Sequence, residues 1–183
     1  MEKEAKSRKE HFRKQCLKRL RRASGRGAYA RDKKVLSKLW ELIVQENART
    51  LMLYVPLGTE VNLFPLLKRV RQEGRSVYVP FMEGASFRLV KYRYPLRTKR
   101  FGIKEPNDSR AYRNKKIDLA VVPIVGMDAA HRRVGFGKGM YDRFFEKEIK
   151  NINKTVFVAR ELCYSKKIVT DHYDVRADLV IVP

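Results

Sequence analysis

The chain has 183 residues, a length that favours one domain, and its hydrophobic content of 44% is enough for a buried core and argues against global disorder. No apolar run approaches the roughly 18 residues needed to span a membrane. The formal net charge of +22 suits polyanionic partners, such as nucleic acid, a membrane surface or phosphate- and carboxylate-rich small molecules, and equally suits a generally basic surface.

Helices and strands are expected to alternate through the first half of the chain. An apolar stripe on a very basic segment predicts a helix over 3–23, which Ser24-Gly25-Arg26-Gly27 ends. A second amphipathic helix is expected over 29–46 and a third over 59–74, stopping at Gly74. Short apolar or alternating runs predict strands at 50–56, at 76–81 and, at a sheet edge, at 86–92.

The second half repeats this alternation and decides the fold class. Residues 117–125 are the most apolar stretch and are expected to form the central strand. A helix from about 141 to 152 and strands at 155–159 and 178–183 complete the chain. We expect one α/β domain over 1–183, with a mostly parallel sheet covered by helices on both faces, in three layers. Ligands of such sheets bind at the carboxyl ends of the strands.

The two cysteines, Cys16 and Cys163, are isolated in the sequence. They show neither the spacing of a metal site nor a disulfide framework. The interpretation from sequence is a reducing, cytoplasmic setting.

The segment "RRVGFGKGMYD", residues 132–142, lies between a predicted strand and a predicted helix. Its glycines would give an anion access to backbone N–H groups at a helix N-terminus, and Arg132, Arg133 and Lys138 would add charge. It has neither the Walker A order nor a clean dinucleotide fingerprint. A phosphate site and a flexible glycine-rich loop both fit. Asp142 suits either compensation of the helix dipole or a magnesium site beside phosphates.

The sequence around this segment resembles the signature of the 5-formyltetrahydrofolate cyclo-ligase family, also called methenyltetrahydrofolate synthetases. The similarity extends in order along nearly the whole chain, through "RKEHFRKQCLKRLR", "YVPLGTEVNLFPLL", "FGIKEP", "VVPIVGMDAAHRRVGFGKGMYDRFF" and "HYDVRADLVIVP". It implies an enzyme that uses ATP and Mg²⁺ to convert 5-formyltetrahydrofolate, with or without a polyglutamate chain, into 5,10-methenyltetrahydrofolate. We expect this enzyme to be a cytoplasmic monomer. ADP and phosphate would be the other products.

The resemblance also implies site residues, position by position. For ATP it implies Lys9 and Arg13 of the first helix and the loop from Arg133 through Gly135, Phe136, Gly137, Lys138, Gly139, Met140 and Tyr141. Arg133 and Lys138 would act on the transferred phosphate. Val55, Glu60 and Met140 would bind the folate, and Asp142 and Asp174 the metal. From the residues alone, a solvated helix face for Lys9 and Arg13, and an early-turn helix acid for Glu60, fit as well.

Some positions depart from the family pattern. Met140 replaces a tyrosine, Met127 a phenylalanine and Asn62 an aspartate, and "FVARELCYSKK", residues 157–167, lacks the usual glycine, phenylalanine and glutamine. A nucleic-acid-binding protein and a family member that binds nucleotide without turnover are the alternative interpretations. No nucleic-acid motif is recognised, so any such binding would be non-specific and carried by charge.

Overall fold

The computed structural model describes residues 2–98, 104–108 and 116–183. Of the motif at 101–106, only its second half therefore lies among the described residues. The helices are α1 (Glu2–Ala23), α2 (Ala28–Gln45), α3 (Phe64–Gln72) and α4 (Met140–Glu148), and a 3-10 turn (Ile149–Asn151) follows α4.

The strands are short. They are β1 (Thr50–Met52), β2 (Ser76–Glu83), β3 (Ser86–Lys91), β4 (Arg97–Thr98), β5 (Lys104–Glu105), β6 (Leu119–Pro123), β7 (Gly126–Asp128), β8 (Arg133–Val134), β9 (Thr155–Val158), β10 (Tyr164–Ser165) and β11 (Leu179–Ile181). Each strand predicted from an apolar or alternating run is present, although most are shorter than predicted.

Six of these strands form the central sheet, in the order β11-β9-β6-β1-β2-β3. Neighbouring strands pair in parallel, apart from the antiparallel pair of β2 and β3. The prediction of a mostly parallel sheet is confirmed. So are the interior position of β6 and the edge position of β3.

Successive residues of the buried strands point to opposite faces of this sheet. On β6, for example, Val122 belongs to a hydrophobic cluster with residues of α1 and α4, whereas Val121 belongs to a second cluster with residues of α2 and α3. Strands β1 and β9 divide in the same way. The helices therefore cover both faces, as predicted.

Helix α3 begins later than predicted, which changes the setting of Glu60. Its first residues are Phe64 and a proline, and the Phe64 N–H donates to Asn62 Oδ1 at 3.1 Å. Proline is tolerated in a first turn, where its missing N–H has no helical partner. Glu60 consequently lies in the loop before α3 and is not an acid of its first turn.

A second, three-stranded sheet with the order β10-β7-β8 was not predicted from the sequence. Its strands contain two or three residues each, too few for a hydrophobic period to be recognised. This sheet carries the backbone from the end of β6 to the glycine segment.

The structure corrects the interpretation of the cysteines. Cys16 of α1 and Cys163 are joined by a disulfide across 147 residues of sequence, and both are buried. Gly126 makes room for the bond, because a Cβ there would lie 2.8 Å from Cys16 Sγ. The prediction that the cysteines form no disulfide was therefore wrong. The cysteines no longer support a reducing setting. Isolated cysteines distant in sequence give no signal of their pairing.

Among the helices of residues 2–98, 104–108 and 116–183, none is long and apolar enough to cross a membrane.

Candidate active site

The glycine loop, defined here as residues 135–139, connects β8 to the N-terminus of α4. Gly137 has φ of 94° and Gly139 has φ of 61°, in the left-handed region that favours glycine. The loop therefore turns sharply into the helix, whose first N–H groups have no intrahelical partner. This is the backbone arrangement that the sequence predicted for an anion site.

Arg13 of α1 lies against this loop. Its Nε donates a hydrogen bond of 2.9 Å to the carbonyl oxygen of Gly135. A Cβ on Gly137 would lie 3.3 Å from Arg13 Nη1, so the guanidinium also covers the next part of the loop. The structure thus brings one of the two predicted α1 cations to the loop.

Lys9 lies one turn earlier on α1 and faces the C-terminal segment. Its ammonium donates to Asp171 Oδ2 at 2.9 Å and to Asp174 Oδ2, and it lies 5.5 Å from the centre of the Tyr173 ring. Burial lowers the pKa of Lys9, but the hydrogen bonds to the two carboxylates outweigh it and raise the pKa overall. The Lys9 ammonium is therefore fixed by two carboxylates and does not belong to a solvated helix face.

The two predicted metal carboxylates, Asp142 and Asp174, belong to two segments of the chain that contact each other. Asp142 Oδ1 accepts a 3.3 Å hydrogen bond from the N–H of Val175, the residue after Asp174. Among the described residues there is no group of three or more His, Cys, Asp or Glu side chains that would form a protein cage for a metal. Two carboxylates completed by phosphate oxygens suit Mg²⁺, which usually takes one or two carboxylates.

Arg133 of β8 connects the parts of the site. It is 5% exposed, its Nη1 lies 3.9 Å from Asp142 Oδ1, and its guanidinium lies 4.7 Å from the centre of the Tyr141 ring. Its Nε has no hydrogen-bond partner within the described part of the chain. The guanidinium fills the space that a Cβ on Gly135 would need. A buried donor without a partner is costly, and an anionic ligand would satisfy it.

The remaining loop residues divide by exposure. Phe136 and Lys138 are exposed, and the structure gives Lys138 a place at the outer side of the loop. Met140 packs against the cluster of the α1 and α4 face, and Tyr141 contacts Phe87 edge-to-face at 5.0 Å. The loop and the start of α4 thus combine the exposed Phe136 and Lys138 with the partly buried Met140 and Tyr141.

Glu60 lies in the loop between β1 and α3, close enough to Arg133 for the guanidinium to act on its charge. Its Oε2 accepts a 2.8 Å hydrogen bond from Leu57 N–H. The carboxyl group is buried although the residue is partly exposed. Burial raises its pKa to about 7, while the Leu57 N–H bond, Arg133 and Arg160 act in the opposite direction. Val55, at the start of this loop, packs against the cluster of the α2 and α3 face.

Asp128 is a buried carboxylate that the sequence analysis did not identify. It accepts hydrogen bonds from the N–H groups of Ala130, Val169 and Thr170 and from the Thr170 hydroxyl. Burial raises the pKa of Asp128, but these bonds outweigh it and lower the pKa overall. The carboxylate therefore joins the turn before β8 to the segment that leads to Asp171 and Asp174.

Arg160 and Asp32 form a buried ion pair that the sequence analysis also missed. Arg160 Nε donates to Asp32 Oδ1 at 2.7 Å and Nη2 to Oδ2 at 2.8 Å, while Nη1 donates to Ser24 Oγ and Gly58 O. We call Arg160, Asp32, Ser24 and Gly58 the loop anchor. A charged residue directly after a buried parallel strand was the available signal, since such positions lie at the ligand-binding edge.

Comparison with known proteins identifies the family of the chain and its fold. A sequence profile of the 5-formyltetrahydrofolate cyclo-ligase family matches residues 5–183. The 5-formyltetrahydrofolate cyclo-ligase of Haemophilus influenzae is 26% identical over 155 residues, which are 79% of this chain and 81% of the relative.

Two solved structures have the same fold. The 5,10-methenyltetrahydrofolate synthetase of Aquifex aeolicus superimposes with a TM-score of 0.74 at 29% identity, over 95% of this chain and 88% of that one. The synthetase of Mycoplasma pneumoniae gives 0.71 at 22% identity, a likeness of fold, over 95% of this chain and 98% of its own. The chain belongs to the 5-formyltetrahydrofolate cyclo-ligase family, a family of ligases.

Proposed function

We propose that this protein catalyses the Mg²⁺-dependent reaction of 5-formyltetrahydrofolate with ATP to give 5,10-methenyltetrahydrofolate, ADP and phosphate. Membership of the family supports the overall reaction. ATP as a substrate favours a cytoplasmic location. The folate and ATP are both polyanions, which gives part of the net charge of +22 a use.

The chemical difficulty is that the oxygen of a formamide is a poor leaving group. In the proposed reaction the γ-phosphoryl group of ATP is transferred to the formyl oxygen, and ADP leaves. The resulting iminium phosphate is attacked by N10, which loses its proton as the new C–N bond forms and phosphate departs. The protein then has to position reactants and neutralise charge, with no covalent step of its own.

The glycine loop and the cations around it are the proposed ATP site. Backbone N–H groups from Gly135 to Gly139 and the N-terminus of α4 would bind phosphate oxygens. Arg13 and Lys9 would contribute charge from α1, Arg133 would donate to the transferred phosphoryl group, and Lys138 would approach from the outer side. Phe136, Met140 and Tyr141 would supply the surrounding surface.

Asp142 and Asp174 are the proposed holders of Mg²⁺, together with phosphate oxygens. When bound there, the ion would neutralise the charge that develops on the phosphates. The ammonium of Lys9 already lies on Asp174, which supports a cation-binding role for this carboxylate. Lys9 would exchange this partner for a phosphate oxygen when nucleotide binds.

Glu60 and Val55 are the proposed folate side of the site, with Met140 between folate and nucleotide. A carboxylate offers two acceptors to the N–H groups along one edge of a pterin. A methionine in place of a tyrosine still packs on a flat ring through its polarizable sulfur.

The observation that carries the proposal is the position of Arg133. It is paired with Asp142, stacked on Tyr141 and close enough to Glu60 to affect its charge. One buried cation thus faces both the proposed nucleotide side and the proposed folate side, which is where a transferring phosphoryl group has to lie.

The direct test is the absorbance of the methenyl product after purified protein is mixed with 5-formyltetrahydrofolate and Mg-ATP. We expect turnover that requires both ATP and the metal. Folded protein that gives no product would overturn the proposed function. Binding of Mg-ATP without product would identify the protein as a member of the family that has lost turnover.

The outer face of α1 supports one further activity. Lys14, Lys18, Arg21 and Arg22 are exposed there, next to other cations of the same helix. Such a face favours non-specific binding of nucleic acid through phosphate neutralisation. Affinity for single-stranded RNA that falls steeply with salt would support this activity, and affinity that is independent of salt would contradict it.

A further inference from the structure

The position of Arg160 in the fold points to a positioning role at the carboxyl edge of the sheet. Arg160 follows β9 by two residues and is 8% exposed. It lies within 157–167, the segment whose sequence departs from the family pattern, so the resemblance assigns it no role. A buried guanidinium is expensive unless every charge and donor is used.

The contacts of Arg160 reach three different parts of the chain. Asp32 belongs to α2, Ser24 to the connection between α1 and α2, and Gly58 to the loop before α3. The bidentate pair with Asp32 fixes the plane of the guanidinium. In this plane Nη1 donates to Gly58 O at 2.8 Å, two residues before Glu60.

At Gly58, the loop of residues 57–60 is held by hydrogen bonds and not by side-chain packing. A Cβ placed on Gly58 would meet no atom within 4 Å, so the loop is open at that point. The Ser24 hydroxyl, which accepts from Arg160, approaches Thr59 O at 3.4 Å. Within the loop, Glu60 N–H donates to Leu57 O at 3.0 Å.

We propose that Arg160 is a positioning residue for folate recognition, which holds the loop of residues 57–60 so that the Glu60 carboxyl group faces the substrate. This inference rests on the proposed function. Arg160 touches neither reactant; it acts through the carbonyl of Gly58.

The charges around Glu60 agree with this role. Arg133 and Arg160 both favour the ionised form of Glu60, against burial, and burial together with the charge of Glu60 in turn raises the pKa of Tyr54 and Tyr141. Arg160 therefore helps to keep Glu60 an acceptor while it fixes the position of the loop.

The kinetic test compares Arg160→Met with wild type. We expect the KM for 5-formyltetrahydrofolate to rise about tenfold, the value of one well-placed hydrogen bond. The KM for ATP and kcat should not change. The pH at which the folate KM levels off should move upward, because Glu60 loses a favourable charge. Arg160→Lys should recover part of the affinity, since the charge stays and the planar fork is lost.

Loss of Arg160 alone leaves Asp32 buried without its partner, which endangers folding. The double variant Asp32→Leu/Arg160→Met removes both charges and should show the same rise in folate KM. Arg31→Met is the matched control. Arg31 donates to the carbonyls of Ala23 and Arg26 in the same pair of helices but makes no bond to the loop of residues 57–60.

Hydrogen exchange provides a readout that needs no activity. We expect the N–H groups of Leu57 and Glu60 to exchange about tenfold faster in the double variant, while those of α3 stay unchanged. Unchanged exchange, or equal rises in the KM values for folate and ATP, would overturn the inference. A wild-type protein without turnover would overturn the proposed function instead, and exchange would then decide the role of Arg160 by itself.

Discussion

Two charged clusters at the carboxyl edge of the sheet differ in how completely their charged groups are paired. In the phosphate-side cluster, defined as Lys9, Arg13, Arg133, Asp142, Asp171 and Asp174, Asp171 is 40% exposed and Arg133 Nε has no partner among the described residues. In the loop anchor, Arg160 and Asp32 are both less than a tenth exposed, and each guanidinium nitrogen of Arg160 donates a hydrogen bond.

This difference in pairing suggests that the phosphate-side cluster binds a ligand, whereas the loop anchor positions the backbone. An exposed charge such as Asp171, or a donor without a partner such as Arg133 Nε, can take up a ligand atom at little cost. A pair that is buried and fully bonded has nothing left to offer a ligand, and breaking it is costly. The phosphate-side cluster should therefore respond to substitution with a loss of activity, and the loop anchor with a loss of order.

The largest effect is expected from the disulfide, which fastens α1 and its cations to the rest of the protein. A bond that closes 147 residues restricts the unfolded chain and should contribute about 5 kcal/mol to stability. Urea unfolding with and without reductant measures this contribution. The variant Cys16→Ala/Cys163→Ala should be insensitive to reductant, and a wild type that is equally insensitive would contradict the prediction.

Asp142→Ala tests the phosphate-side cluster. We expect kcat/KM to fall by about 10²- to 10³-fold, the usual cost of losing one group that stabilises charge in the transition state. Glu146→Ala, an exposed acid on the same helix, is the control and should retain full activity. A comparable loss in both variants would assign the effect to the charge of α4 and not to the site.

Lys9→Met should have a smaller effect on the same cluster. The KM for ATP is expected to rise by about 10- to 100-fold, because one hydrogen bond to a charged group is lost. The folate KM should stay the same, as should both values in Lys14→Met, which removes an exposed cation from the same helix. A rise in the folate KM alone would contradict the prediction, because it would place Lys9 at the folate site and not at the ATP site.

The smallest effect concerns pH and Glu60. Since burial raises the pKa of Glu60 to about 7, the carboxyl group is largely neutral below that pH. The folate KM should fall by about tenfold in total as pH rises toward 7 and then level off, because only the ionised form accepts hydrogen bonds through both oxygens. Glu60→Gln should abolish this dependence. A wild-type KM that is flat between pH 5 and 8 would contradict the prediction.

Glu60 also makes the stability of the folded protein depend on pH. Its contribution to stability decreases as pH rises, whereas folate binding improves. The folded protein binds the proton of Glu60 more tightly than the unfolded chain, whose carboxyl has the ordinary pKa of 4.5. Glu60 therefore favours folding most below that value. Its contribution is lost as pH rises through about 7, so wild type should lose stability relative to Glu60→Gln over this window.

The central sheet and the glycine loop followed from the sequence because their signals are local, whereas Lys9, Arg13, Glu60 and Asp174 were named only through the family resemblance. Apolar runs predicted β1, β2, β6 and β9, and the glycines of residues 135–139 predicted the loop before α4. The start of α3 was wrong by several residues because Pro65 sets the first turn. The roles of the site residues stay predictions.

What the sequence did not reveal depends on tertiary contacts. The bond between Cys16 and Cys163 and the pair of Arg160 and Asp32 each join residues with no common pattern. Strands of two or three residues have no period to recognise, so the sheet of β7, β8 and β10 was missed too. Asp128 looks like a turn residue until the N–H groups of Val169 and Thr170 are placed beside it.

The disulfide also organises the two ends of the chain. Lys9 lies before Cys16, and Asp171 and Asp174 lie after Cys163, so the groups that pair are carried by two tails leaving one covalent junction. Each tail is short, which gives its charged groups a high effective concentration toward the other. A cut in the backbone anywhere between the cysteines would leave this junction closed, and the two segments would separate only when the nicked protein is both reduced and denatured.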